Sequence, residues 1–212
     1  MPPRRCTADG GRTMNRKIGA VSSAINLFAV LGFAATMLFQ FNFGSYLCSM
    51  FIALGFVPMM CCFLHFAPPE RKAAGYAAVA FSGVYAAIIL LVYFTQLTTV
   101  RFGGLTEQAR ELLDFQRMNL FFSLDLLGYA LMALATFFAG LTVCPERKTD
   151  KWLRALLLIH GVFFVSCLVV PMLGIFRADG PAWIGIALLE FWCAYFCPVA
   201  ILSFLHFQKK TD

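Results

Sequence analysis

The 212-residue chain is 60% hydrophobic and 13% charged, about half the roughly 25% of charged residues in an ordinary soluble domain. That composition excludes a soluble globular protein. The net charge of +6 therefore needs a reading suited to a bilayer, and requires no nucleic acid.

Pro2 to Thr13 is rich in Pro, Gly and Arg without periodicity, so residues 1–17 read as a disordered basic tail. Met14, followed by Asn15, Arg16 and Lys17, is the expected true start. From Ile18 to Pro69 there are 52 consecutive residues without Lys, Arg, Asp or Glu, enough for two crossings of ~30 Å of hydrocarbon at about 20 residues each. Six apolar segments, at about 18–40, 46–66, 73–100, 119–143, 155–176 and 182–207, leave 208–212 as a second tail. None alternates like a barrel strand, and backbone amides in hydrocarbon must be satisfied internally. The expected fold is all-α, a polytopic bundle of six transmembrane helices over 18–207. The first segment is long for a cleavable signal and lacks a small-residue cleavage site, so it reads as an uncleaved anchor.

The connections are short. Phe41 to Ser45 makes a tight hairpin, Pro68-Pro69 interrupts the chain after the second helix, and Gly180-Pro181 precedes the sixth. Only Arg101 to Met118 has room for structure of its own: Thr106 is placed to cap a short helix carrying Leu112, Leu113 and Phe115. It reads as a surface extension of the fourth helix, with a substrate lid as the alternative. Alternating the sides places thirteen of the seventeen Lys and Arg with the termini, leaving Arg101, Arg110, Arg117 and Arg177 opposite. The positive-inside rule then puts both termini in the cytoplasm. Trp152 and Trp183 fall near opposite interfaces.

Of eight cysteines, Cys48, Cys61, Cys62, Cys167, Cys193 and Cys197 lie within spans, so no external disulfide framework is visible. Cys193 and Cys197 share a face without the C-x-x-C spacing of a thiol redox pair, and read as packing residues. Cys61, His65 and His206 sit at similar depth and are suitable zinc or copper ligands, although His at a membrane boundary is ordinary. No metal centre, cofactor or catalytic residue is assigned.

Two carboxylates fall well inside spans. Asp125 lies ~9 Å and Glu190 ~12 Å from the far ends of the fourth and sixth segments, in one layer. Gln96 reaches that level from the third segment, with Arg101 able to bend back toward a carboxylate. Asp125, Gly128, Tyr129, Met132 and Thr136 share one face by three-and-four spacing, as do Glu190, Cys193 and Cys197. A carboxylate this deep costs roughly 2.5–3.5 kcal/mol on insertion scales, so it should face the bundle and find a partner or keep its proton. The functional reading is an outward-facing solute or proton site made from Asp125, Glu190, Gln96, Arg101 and Tyr129. The alternative is an internal contact that only fixes helix order. His160, with Asn26 at similar depth, is either a second proton station or a helix-to-helix hydrogen bond. Pro58, Pro171 and Pro198 predict kinks in the second, fifth and sixth helices. Small residues at Ala74, Ala78, Ser82, Ala86 and at Gly75, Val79, Gly83, Ala87 make the third helix central or an oligomer interface.

No H-E-x-x-H, G-x-S-x-G, Walker or dinucleotide glycine pattern occurs, which disfavours a membrane enzyme. The stretch Gln96-Leu-Thr-Thr-Val-Arg101, the amphipathic connection, and Asp125-Leu-Leu-Gly-Tyr129 with Met132, Leu134, Ala135 and Thr136 resembles a loose group of uncharacterised bacterial multi-pass membrane proteins. The resemblance implies a bacterial inner-membrane protein and brings no activity with it. A fold-level likeness to substrate-binding subunits of energy-coupling-factor vitamin transporters rests on size, six helices and Ala20-x-x-x-Ala24. The expected function is binding or transport of a small solute or protons, with a non-catalytic interaction or sensory subunit as the rival. Expected partners are the lipid bilayer, the solute or proton, and a homo- or hetero-oligomer through the third helix.

Overall fold

The computed structural model describes residues 8–174 and 182–208. Pro2 to Thr7, Arg177, Gly180-Pro181 and the residues after Gln208 lie outside them. All regular structure among the described residues is helical: α1 (Ala8–Leu38), α2 (Asn42–Phe66), α3 (Lys72–Thr95), α4 (Glu107–Leu113), α5 (Leu120–Thr142), α6 (Lys148–His160), α7 (Val162–Met172) and α8 (Ala182–Phe207). A π turn, Gln96–Val100, prolongs α3, and α6 with α7 makes one long apolar unit. Six units are thus long and apolar enough to cross a membrane.

The helices form a ring. α8 packs on α1, α1 on α2, α2 on α3, α3 on α5, α5 on both α6 and α7, and α6 returns to α8. The contacts are made at glycines. A Cβ on Gly19 would stand 2.6 Å from the Phe207 ring, on Gly55 2.9 Å from Asn26, on Gly75 2.7 Å from Leu64, on Gly128 2.9 Å from Ile89, and on Gly140 3.0 Å from Leu158. Within the ring Phe56, Met59, Met60, Tyr85, Ile89, Met132 and Phe196 are fully buried.

The helix ends are closed by specific chemistry. Gln40, at φ 53°, ends α1 in a Schellman pattern, with Phe41 N–H donating to Thr36 O (2.8 Å) and Gln40 N–H to Met37 O (3.0 Å). At the other end, two adjacent cations cap two different helices. Lys72 Nζ donates to Leu64 O (2.6 Å) and His65 O (3.0 Å) on α2, and Arg71 Nη1 to Leu141 O (3.2 Å) and Val143 O (3.1 Å) beyond α5. Orphan carbonyls and the negative end of the helix dipole both favour a cation there. Asp150, buried in the first turn of α6, meets His206 of α8 at 2.8 Å.

Three features differ from the sequence expectation. Helix α1 starts at Ala8, inside the stretch expected to be a disordered tail. About two turns further on it is held against α2: Cys62 Sγ donates to Asn15 O, Asn15 reaches His65, and Arg16 lies over the Phe66 ring. The fifth span divides at Gly161, where the Phe137 ring of α5 lies 2.9 Å from where a Cβ would be. Pro58, Pro171 and Pro198, where kinks are expected, all lie inside helices α2, α7 and α8. The small residues of α3 divide across the two stripes: Ala78, Ser82 and Ala86 of the first and Gly75 of the second are buried, whereas Gly83 and Ala87 of the second are exposed.

The glycine contacts predict an asymmetric pair. Gly55→Leu should destabilise the bundle by about 1–3 kcal/mol, the usual cost of overpacking. Gly83→Leu, with open space around it, should leave the melting temperature of the detergent-solubilised protein unchanged.

Candidate functional site

Helix α5 carries the centre of the site. Asp125, Gly128, Met132 and Thr136 form its buried face, with Tyr129 half-buried beside them. That face looks at α3, whose buried positions include Tyr85, Ile89 and Tyr93. The Tyr93 hydroxyl is directed at Asp125, with Tyr85 and Tyr129 close by, and Ser49 of α2 lies beside Tyr93 and Tyr129. The rings close around the carboxyl: Tyr46 and Tyr93 are 5.3 Å apart, Tyr85 and Tyr129 5.9 Å, Phe56 and Tyr85 5.4 Å, and Tyr129 and Trp192 5.4 Å. Asp125 Oδ1 and the hydroxyls of Tyr85 and Tyr129 are buried without a hydrogen-bond partner. Each such atom carries an unmet cost of about 1–3 kcal/mol, and here three are gathered in one place.

His160 is fixed by a chain of hydrogen bonds whose direction follows from the groups alone. Indole N–H is only a donor, so Trp192 Nε1 donates to His160 Nε2 at 3.1 Å. The proton of the neutral ring is therefore on Nδ1, which donates to Thr136 Oγ1 at 2.7 Å. That hydroxyl donates in turn to Ala133 O at 2.8 Å. Tyr195 OH donates to Leu156 O at 2.6 Å one turn away. Helices α5, α6 and α8 are thereby joined through a satisfied imidazole. Asn26, read at similar depth on the first helix, lies on α1 against Gly55 and donates to Ser22 O, with its Oδ1 unpartnered.

Gln96 is buried at the far end of α3, and both ends of its amide are used. Nε2 donates to Leu113 O (2.7 Å) and Oε1 accepts from Phe115 N–H (3.0 Å). It thus latches the connection between α4 and α5 onto the bundle. Thr106 caps α4 as its sequence suggests, accepting from Ala109 N–H at 3.3 Å. Phe115 packs against Tyr46, Tyr93 and Phe122 at 5.3–6.0 Å. This segment is the roof over the Asp125 cluster. Arg117 ties it together through Glu107 and Glu111, both at 2.9 Å, although exposed pairs of this kind contribute little individually.

The other expected members stand apart. Arg101 is exposed and lies over the Phe43 ring, 4.7 Å from its centroid, rather than on a carboxylate. Glu190 is half-buried with Oε1 unpartnered, and its electrostatic neighbour is Cys193, not Asp125. Of the five residues expected to share a site, the fold brings Asp125 and Tyr129 together, puts Gln96 in the roof and leaves Arg101 and Glu190 outside; His160, read as a second station, is linked to Tyr129 through the Trp192 ring. Tyr85, Tyr93 and Ser49 were not anticipated. Their signal was available, since Tyr85, Ile89, Tyr93 and Gln96 follow three-and-four spacing on α3, but the rings read equally well as core. His65 and His206 are engaged elsewhere, and no three His, Cys, Asp or Glu side chains are grouped to hold a metal among the described residues. The seven cysteines described are free.

The imidazole chain yields a stability prediction. Thr136→Val removes the acceptor of a buried N–H and should cost about 1–3 kcal/mol, read as an earlier thermal transition in detergent. Gln96→Leu should instead raise hydrogen exchange selectively over residues 107–117, with the helical core unchanged. The chain matches no protein-family model, no curated protein and no solved structure, so its chemistry must be argued from this geometry.

Proposed function

We propose that the chain is a multi-pass protein of a bacterial inner membrane, with both termini cytoplasmic, that binds or moves protons, alone or with a small solute, through the Asp125 cluster. The observation that carries this reading is the convergence of three unpartnered buried polar atoms, on Asp125, Tyr85 and Tyr129, in one place, whereas the other unpartnered atoms among the described residues, on Asn26, Glu190 and Ser203, are scattered over α1 and α8. A carboxyl in such surroundings favours holding a proton. The tyrosine hydroxyls offer the next donors and acceptors. Ring separations of 5.3–5.9 Å fit a proton in this closed form better than an organic solute, whose entry would require the roof around Phe115 to lift. The thirteen-to-four split of basic residues supports cytoplasmic termini.

A specific observation favours the rival reading for part of the original set. Gln96 and His160 are fully engaged in contacts between elements, as a structural role requires, so we assign them to scaffold rather than transport. Under the rival reading, a non-catalytic interaction or sensory subunit, Asp125 belongs to the scaffold as well.

In proteoliposomes carrying an internal pH dye, an imposed proton gradient should dissipate faster with the wild-type protein than in empty vesicles. Asp125→Asn should abolish the difference while keeping the melting temperature. Equal flux from the variant, or its failure to fold when Tyr129→Phe folds and conducts normally, decides for the structural reading. For topology, exposed Cys144, just beyond α5, should react with an impermeant maleimide only after the cytoplasmic face is opened.

A further inference from the structure

We propose that a trough on the outer surface of α1 holds one anionic phospholipid of the leaflet on the side of the termini. The trough has a volume of about 690 Å³ and lies over α1 between ridges from α2 and α8. Ala20 and Ala24 form its recessed floor, Phe51 and Phe204 stand on its two sides, and Phe28, 72% exposed, rises at its far end. Lys17 and Gln208 lie at the mouth.

Three features select the occupant. The first is depth. From Lys17 to Phe28 the helix rises ~16 Å, close to half of the ~30 Å hydrocarbon thickness. The trough therefore runs from the interface to the midplane, which is the length of one acyl chain in one leaflet. A partner transmembrane helix needs a seam through both leaflets, and Phe28 interrupts this one midway. The second is polarity: the lining is apolar except at the mouth, so water gains nothing there while a lipid tail makes dispersion contacts along the alanine floor. The third is charge. Lys17 has no hydrogen-bond or ion-pair partner among the described residues, and its ammonium stands at headgroup depth, where a lysine near an anionic surface contributes about 1 kcal/mol. Gln208 supplies an amide beside it. The site shares no lining residue with the Asp125 cluster and does not depend on proton movement.

The test uses the full chain in detergent with equal amounts of phosphatidylglycerol and phosphatidylcholine, observed by native mass spectrometry. The expected result is one retained lipid per chain with phosphatidylglycerol preferred. Ala24→Trp, which fills the floor, should remove the bound lipid. Lys17→Gln should reduce the preference for phosphatidylglycerol about fivefold, the equivalent of 1 kcal/mol. Retention of the same lipid by a folded Ala24→Trp variant overturns the proposal. So does a wild-type oligomer that Ala24→Trp dissociates, since the trough would then be a protein interface. Should Ala24→Trp melt early, an unchanged preference in Lys17→Gln, an exposed substitution, is sufficient to overturn it.

Discussion

The close approach of helix backbones at glycine is the constraint on which the rest of this bundle depends. Between apolar helices surrounded by lipid there is little hydrophobic gain on association, so contact must come from fitted surfaces. Here five neighbouring pairs meet where a side chain is missing: α8 on α1 at Gly19, α1 on α2 at Gly55, α2 on α3 at Gly75, α3 on α5 at Gly128, and α5 on α6 at Gly140. The closing pair, α6 and α8, is joined instead through His160 with Trp192 and Asp150 with His206. These contacts set the axial register of the helices as well as their spacing. The Gly128 contact with Ile89 matters most for the site. It lies one turn from Asp125 and between Tyr85 and Tyr93 in depth, so it brings the carboxyl opposite the tyrosines.

With register set, the buried polar groups fall into two kinds. Gln96 spends its whole amide on the roof, and His160 accepts from an indole while donating to a hydroxyl. Asp150 meets His206 and its own helix N-terminus. These groups join elements that are distant in sequence, and their hydrogen bonds give the contacts a direction that packing alone lacks. The cluster of Asp125, Tyr85 and Tyr129 is the other kind, concentrated polarity with unmet capacity. A bundle selected only for stability would disperse or replace such groups, because burial of polar atoms without partners is costly.

The roof links the two kinds. Phe115 rests on Tyr46 and Tyr93, next to Asp125, and is held by the backbone bond to Gln96. Most of the remaining segment is exposed, from Thr106 through Glu107 and Gln108 to Arg117. A short amphipathic helix fastened by one buried amide can open at smaller cost than a core helix can move. Access to the carboxyl and stability of the core are thus separated in space.

Composition and the spacing of charges were sufficient to read an all-helical chain with six segments long and apolar enough to cross a membrane, the Thr106 cap and the inward face of α5. Each of these depends on local chemistry: hydropathy over about 20 residues, a hydroxyl three residues before an amide, and a 3.6-residue period. The first hairpin turns at residues 39–41, earlier than the expected Phe41–Ser45, because α2 already begins at Asn42. The sequence also singled out Asp125 and Tyr129, because polar residues in an apolar run stand out. Partner choice was not legible. Gln96 and Glu190 share an expected depth with Asp125, but depth says nothing of rotation about the helix axis, and only packing brought Tyr85 and Tyr93 to the carboxyl, with Glu190 beside Cys193 instead. Arg101 has the reach to approach a carboxylate, yet an aromatic surface at the interface gives its guanidinium a closer partner. The break at Gly161 was not legible either, since a glycine in an apolar run looks like any other, and the Phe137 ring against it belongs to a neighbouring helix.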